Sequence, residues 1–163
     1  MSVNLLVSAI MPTRGRQQWA AEAVQMFREQ TYPLKELVII DDIMEPSFPL
    51  GNPGHGTIYE RVPRATIGAK RNMAISRARG PVICHWDSDD LYSPDRIAVQ
   101  VEQLLAAEAD MVGYHSIEFF EHDGARRRFR YEGRPGYCVG TSMMYWTDIW
   151  SKRPFGARQN ALW

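Results

Sequence analysis

Three short apolar runs of strand length punctuate the first half of the chain: Leu5–Met11 (LLVSAIM), Glu36–Ile40 (ELVII) and Val82–Trp86 (VICHW). Near-continuous apolar runs of this length belong to strands buried on both faces. Between and after them the period changes to that of a helix. Gln17–Gln30 sets Trp19, Ala23, Val24 and Phe27 on one face. Ala65–Arg79 turns Ile67, Met73, Ala74 and Ile75 partly inward, with Gly80 as terminator. Pro94–Ala109 carries the clearest stripe, Ile97, Val101, Leu104 and Leu105, with Ser93 as N-cap and Pro94 as first helical residue. Strand, helix and strand in succession predict right-handed crossovers and a parallel sheet.

The remaining segments are shorter. Ile43–Gly56, rich in proline and glycine, predicts a loop, and Thr57–Val62 a short strand. Met111–Phe120 predicts one longer strand, His122-Asp123-Gly124 a turn, and Ala125–Tyr131 a strand that pairs back as a hairpin. Cys138–Trp146 predicts a further strand and Thr147–Lys152 a helical turn. The expected class is α/β: a Rossmann-like, mostly parallel central sheet flanked by helices, with a C-terminal β-hairpin. The expected organisation is a single domain over 1–163, in two parts, 1–110 and 111–163.

Composition narrows the function. The chain has 163 residues, with 19 basic and 19 acidic side chains, a balance that gives no reason to expect nucleic acid as partner. No apolar run reaches membrane-span length and no signal peptide is evident. Cys84 and Cys138 sit in apolar contexts without metal-site spacing, which favours free thiols and a cytoplasmic location.

The chemistry gathers at strand ends. Val82–Trp86 stops abruptly in Asp87, Ser88, Asp89 and Asp90, and Glu36–Ile40 stops in Asp41 and Asp42. Crowded carboxylates repel one another unless water or a cation separates them. Leu5–Met11 leads into Pro12-Thr13-Arg14-Gly15-Arg16. In a parallel sheet such ends share one edge, where open α/β sheets bind ligands. Gly68-Ala69-Lys70-Arg71-Asn72 opens a predicted helix, whose free N–H groups and two cations suit an anion. Acids for a hard divalent ion such as Mg2+, cations for phosphate and a site for base or ribose hydroxyls together describe a nucleoside diphosphate.

These segments resemble a known family. V-S-A-I-M-P-T-R-G-R, L-V-I-I-D-D, G-A-K-R-N-M-A-I and R-G-P-V-I-C-H-W-D-S-D-D-L-Y-S-P-D-R-I are similar, in order and spacing, to a family 2 glycosyltransferase of the GT-A fold. The resemblance implies transfer of a sugar from a nucleotide-diphosphate donor, a UDP-sugar foremost, to a saccharide or other hydroxyl acceptor, with inversion and with Mn2+ or Mg2+ as cofactor. It implies that Asp42 bonds the base and that Pro12, Thr13, Arg14 and Arg16 line the same pocket. Gly68, Lys70 and Arg71 would meet the nucleotide or diphosphate. Asp87 and Asp89 match the D-x-D pair, with Ser88 between them: Asp87 at the ribose or metal, Asp89 as metal ligand. The family's general base lies in an acidic pair that would fall beyond Trp163. Asp148 and Glu118 are substitutes, and no base is assigned. The alternative is a non-catalytic or truncated nucleotide-sugar-binding domain lacking that base. A Mg2+-dependent phosphohydrolase would leave Asp42, Lys70 and Arg71 without a role.

Three further groups favour structural readings. Arg126, Arg127, Arg128 and Arg130 make the hairpin basic, as solvated edge strands are, with peripheral contact to a lipid headgroup as the sharper reading. His85 is expected as a hydrogen-bonded core residue, and Trp146, Trp150 and Trp163 as core aromatics. Asp95 and Arg96 are expected to serve the helix start.

Overall fold

The computed structural model describes residues 5–43, 56–121 and 127–156. Its strands are β1 (Val7–Thr13), β2 (Lys35–Asp41), β3 (Thr57–Arg61), β4 (Val82–His85), β5 (Met111–Val112), β6 (Ser116–Phe120), β7 (Arg128–Glu132) and β8 (Met144–Trp146). Its α-helices are α1 (Gln17–Arg28), α2 (Ile67–Arg77), α3 (Arg96–Ala106) and α4 (Thr147–Lys152). The main sheet runs β3–β2–β1–β4–β8–β5, and β6 pairs with β7 in a separate antiparallel ribbon. β3, β2, β1 and β4 are parallel, while β8 is antiparallel to both its neighbours.

The apolar runs dictate three layers. Every residue of β1 is buried, so both of its faces must be covered. Val7, Ala9 and Met11 pack on one side with Ala23, Val24 and Phe27 of α1 and Ile97, Val101 and Leu104 of α3. Ile10, with Val38, Ile40 and Ile83, packs on the other side with Ala74 and Ile75 of α2. The register then levels the strand ends. Thr13 lies opposite Asp41, Ile10 opposite His85, and the Trp86 N–H continues the ladder to the Ile10 carbonyl at 3.0 Å. Trp86 is fully buried, and its indole donates to the Ala23 carbonyl at 3.0 Å. That anchor fixes the direction in which the following acids leave the sheet.

Several expected elements differ in the fold. Met111–Phe120 is two strands in two sheets: β5 ends at Val112 and β6 starts at Ser116. The break falls at Gly113, where an added Cβ would lie 2.8 Å from that of Cys138. Cys138–Trp146 is likewise split. Gly140–Ser142 forms a short 3-10 turn whose three carbonyls are taken by the side chains of His85, Arg96 and Gln100 instead of a strand ladder. Helix α3 starts at Arg96, and the Ile97 N–H is capped by the Gln30 amide oxygen at 3.0 Å, with Ser93 supplying only its backbone carbonyl. Ile67, expected partly inward, is exposed.

Other expectations hold. The β6–β7 hairpin and the α4 turn are present, and both cysteines are free. His85 is buried, 2.6 Å from the Gly140 carbonyl and 3.1 Å from the Tyr145 hydroxyl. A carbonyl only accepts, so Nδ1 carries the proton and Nε2 accepts from Tyr145. Trp146 and Trp150 have bonded indoles. Most of the expected Ile43–Gly56 loop, the His122-Asp123-Gly124 turn, Arg126 and Trp163 lie outside the described residues.

Candidate functional site

Because the parallel strands end level, the residues just beyond them meet at one rim. A cleft of about 840 Å³ opens there. Pro12, Thr13, Arg14 and Arg16 reach it from the end of β1, Lys70 and Arg71 from the first turns of α2, and Asp87, Ser88 and Asp89 from the end of β4. Asp42 and Gly68, the other two expected site residues, do not line it: Asp42 is tied to the lining residue Lys70, and Gly68 packs against Phe155 and Gly156.

The opposite charges are already engaged. Lys70 Nζ lies 2.8 Å from Asp42 Oδ1 and 3.0 Å from the Thr13 carbonyl oxygen. Asp42 also accepts the Ala65 N–H at 3.0 Å. Burial works to raise the Asp42 pKa, but the Lys70 ammonium, the Ala65 N–H and the more distant Arg14 hold it below the usual carboxylate range. Arg71 Nη2 sits 3.2 and 3.3 Å from the two Asp87 oxygens. Its Nε is buried with no hydrogen-bond partner. Arg16 pairs with Asp89, and both are about half exposed. Thr13 Oγ1 donates to Ser88 Oγ at 3.2 Å, tying the β1 and β4 loops together.

The helix start is used differently from the expectation. Thr66 caps α2 and takes the Ala69 N–H at 3.2 Å. Gly68 packs under Phe155 and Gly156, where a Cβ would come within 2.6 Å of the Gly156 carbonyl oxygen. The cations of α2 therefore reach the cleft through their side chains.

Facing the charged wall is an aromatic one. Ile117 lies opposite Tyr131 and Phe119 opposite Phe129 on one face of the hairpin, and Ile117, Phe119, Tyr131 and Tyr137 line the cleft. A smaller cavity of about 500 Å³ runs between β6 and the Asp89–Arg96 loop. Glu118 lines it, whereas Asp148 pairs with Lys152 on α4. α4 follows β8 at the level of Val82, the end of β4 away from the acids. Asp148 is thus removed from the cleft. The hairpin arginines are engaged too: Arg127 with Glu121, Arg130 with Glu132, and Arg128 over the Phe120 ring.

Arg96 departs furthest from its expected role. It is buried, stacked over Trp86 and Tyr92, and donates to the His85 and Thr141 carbonyls at 2.9 and 3.1 Å. It ties the end of β4 to the 3-10 turn. Asp90, against the same turn, accepts from Thr141. Burial raises the Asp90 pKa, aided by Asp87 and Asp89. The clue in the sequence was spacing: Arg96 and Gln100 stand four apart inside the face bearing Ile97 and Val101.

Among the described residues no three acids, histidines or cysteines stand close enough to hold a metal by themselves. Asp87 and Asp89 on one wall still fit a hard divalent ion, which often takes one or two carboxylates and completes its shell with water and ligand phosphate.

The sequence model of Glycosyl transferase family 2 matches residues 8–161. The chain belongs to this family. Among family relatives, the putative colanic acid biosynthesis glycosyl transferase WcaA of Escherichia coli K12 is 33% identical over 106 residues, 61% of this chain and 38% of that protein. The putative teichuronic acid biosynthesis glycosyltransferase TuaG of Bacillus subtilis is 27% identical over 108 residues, 61% of this chain and 42% of that protein. Two solved structures share the fold. The mannosyltransferase PcManGT of Pyrobaculum calidifontis, in complex with GDP-Man and Mn2+, aligns with TM-score 0.75 and 17% identity over 96% of this chain and 49% of that chain. TarS of S. aureus, in complex with UDP-GlcNAc, aligns with TM-score 0.66 and 16% identity over 91% and 47%. The architecture is the GT-A fold of glycosyltransferases, and the chain spans less than half the length of each of these four proteins. Among the described residues no helix is long and apolar enough to cross a membrane.

Proposed function

We propose that the chain carries the donor site of an inverting, divalent-metal-dependent glycosyltransferase that moves a sugar from a UDP-sugar to a hydroxyl of a saccharide or other acceptor. The observation that carries this reading is the shared rim, where Asp87 and Asp89 meet Arg16, Lys70 and Arg71. Residues 1–110 would bind the nucleotide and residues from 111 onward the acceptor. A cytoplasmic setting suits the free, buried Cys84.

In this reading Pro12, Thr13 and Arg14 line the nucleoside end, with Asp42 and its Lys70 partner behind them. Gly68 helps shape that end by leaving room at the α2 start. Asp87 and Ser88 flank the ribose and diphosphate. Arg71, which lines the cleft, would meet the diphosphate with its guanidinium and stabilise the charge that grows there. Asp89, with Asp87, would hold Mn2+ or Mg2+, and Arg16 would release Asp89 as the ion enters. The ion when bound would screen negative charge on the departing diphosphate, worth several kcal/mol. The acceptor hydroxyl attacks the anomeric carbon from the opposite face. The bond to the diphosphate breaks with its electron pair, and the hydroxyl proton passes to a general base. Ile117, Phe119, Tyr131 and Tyr137 offer that acceptor an apolar wall.

GDP-Man with Mn2+ in PcManGT and UDP-GlcNAc in TarS support a nucleotide-sugar donor. The test is turnover: release of UDP from a panel of UDP-sugars, with Mn2+ and a mixed saccharide acceptor. Turnover that disappears in Asp89→Ala supports the reading, and turnover that survives in Asp89→Ala opposes it.

A further inference from the structure

We propose that Asn72 is a positioning residue for Arg71, acting through Phe155. The inference rests on the reading above in which Arg71 meets the diphosphate.

Asn72 makes three hydrogen bonds across to α4 and the segment after it. Its amide oxygen accepts the Phe155 N–H at 3.0 Å and the Trp150 indole N–H at 2.8 Å. Its amide nitrogen donates to the Phe155 carbonyl at 2.9 Å. Both main-chain polar groups of Phe155 are thus held by one side chain, a two-point clamp that fixes where the ring emerges. The ring comes out under Arg71: its centroid lies 5.8 Å from the guanidinium carbon and 5.6 Å from the His85 ring. The first distance is within the range of cation–π attraction. Gly68 completes the fit, since no side chain there keeps Phe155 and Gly156 off the helix.

Arg71 is therefore gripped from two sides, by the Asp87 carboxylate and by the Phe155 ring, while Nε stays unpaired. A free arginine side chain has substantial rotamer entropy to lose when it is ordered. A guanidinium held in place before the ligand arrives has little left to lose. Asn72 is not among the residues that line the cleft, and its side-chain bonds go to Phe155 and Trp150, so its influence on the ligand passes through the aromatic ring.

The test compares binding of UDP and of uridine to the full chain with Mn2+, by calorimetric competition. The preference for UDP over uridine isolates the diphosphate contribution. Arg71→Gln is expected to lower that preference. Asn72→Ala and Phe155→Leu should each lower it roughly threefold or more, and Arg71→Gln/Asn72→Ala should lower it no further than Arg71→Gln alone. The Trp150 indole N–H resonance should shift in Asn72→Ala and stay in Phe155→Leu. Should Asn72→Ala fail to fold, Phe155→Leu carries the test, because it leaves the Asn72 bonds available. A merely structural clamp would lower the melting temperature and leave the UDP preference intact, and that result overturns the proposal. So does a preference loss that adds in the double variant. Loss in Arg71→Gln alone overturns only the positioning role. Loss in none of the variants removes the Arg71 assignment itself and this inference with it.

Discussion

The ammonium of Lys70 sits 2.8 Å from the carboxylate of Asp42, and both groups are nearly inaccessible to water, at 7% and 5% exposure. The pair joins the end of β2 to the first turn of α2, and the Lys70 bond to the Thr13 carbonyl adds β1. One cation thereby sets the relative height of three elements at the rim. Removing one partner leaves a charge buried without compensation, which typically costs about 3–5 kcal/mol. Lys70→Met should lower unfolding stability by about that amount. Asp42→Asn/Lys70→Met should lose clearly less than the sum of the two single changes. Urea unfolding of the four proteins measures this, and simple additivity would show that the two charges do not interact.

Acid should destabilise the fold in two stages. His85 is held neutral to about pH 3 by burial and by the nearby Arg71, against an ordinary value of 6.5. The unfolded chain takes up a proton below 6.5 that the fold refuses, so stability falls as pH falls through that window. The slope approaches about 1.4 kcal/mol per pH unit. Glu36 adds to the loss below 4.5, its ordinary value. Burial opposes its charge, but the Ser8 hydroxyl and the Arg79 N–H and guanidinium prevail and keep its pKa low. A depressed carboxylate stabilises above its unfolded pKa, and that stability is lost as pH drops through the folded one. Denaturant unfolding from pH 7 to 4 should show a shallower slope in His85→Gln than in wild type. Glu36→Gln should match the wild-type slope above pH 5 and flatten only below it.

Arg16 and Asp89 form an exposed pair, and such pairs contribute about 0–1 kcal/mol to stability. Arg16→Gln should leave the melting temperature within error of wild type. By freeing the Asp89 carboxylate it should strengthen Mn2+ binding in the absence of nucleotide, severalfold by calorimetry. Unchanged Mn2+ affinity would show that Asp89 does not hold the ion.

The aromatic wall gives a prediction about the second substrate. Phe119→Ala/Tyr131→Ala removes two half-exposed rings that face the cleft. UDP affinity should stay within about twofold, since loss of exposed side chains away from charged groups perturbs little. Transfer to saccharide acceptors should drop tenfold or more, while UDP-sugar hydrolysis by water remains. Parallel loss of both activities would place these rings in the donor site.

The layered α/β fold was legible because both-face burial leaves an unbroken apolar run, as in Leu37–Ile40 and Val82–Trp86. The rim was legible for the same reason, since charged residues that interrupt such runs must lie where strands end. The chain beyond Asp110 was harder to read. Met111–Phe120 looks continuous, yet Gly113 lets the chain press against Cys138 and leave the sheet. The spacing of Arg96 and Gln100 marks them as inward, but no local pattern announces that they and His85 would take the carbonyls of Gly140–Ser142, some forty or more residues away in sequence. Arg96 was misplaced because charge at a helix start is ordinarily solvated; here two aromatic rings and two main-chain carbonyls replace the water.

Titrating the chain with UDP, once with Mn2+ and once with EDTA, bears most directly on the rim. The expected result is binding at least tenfold tighter with Mn2+, with that gain abolished in Asp89→Ala. Equal affinity in the two titrations, or an undiminished gain in Asp89→Ala, would contradict it.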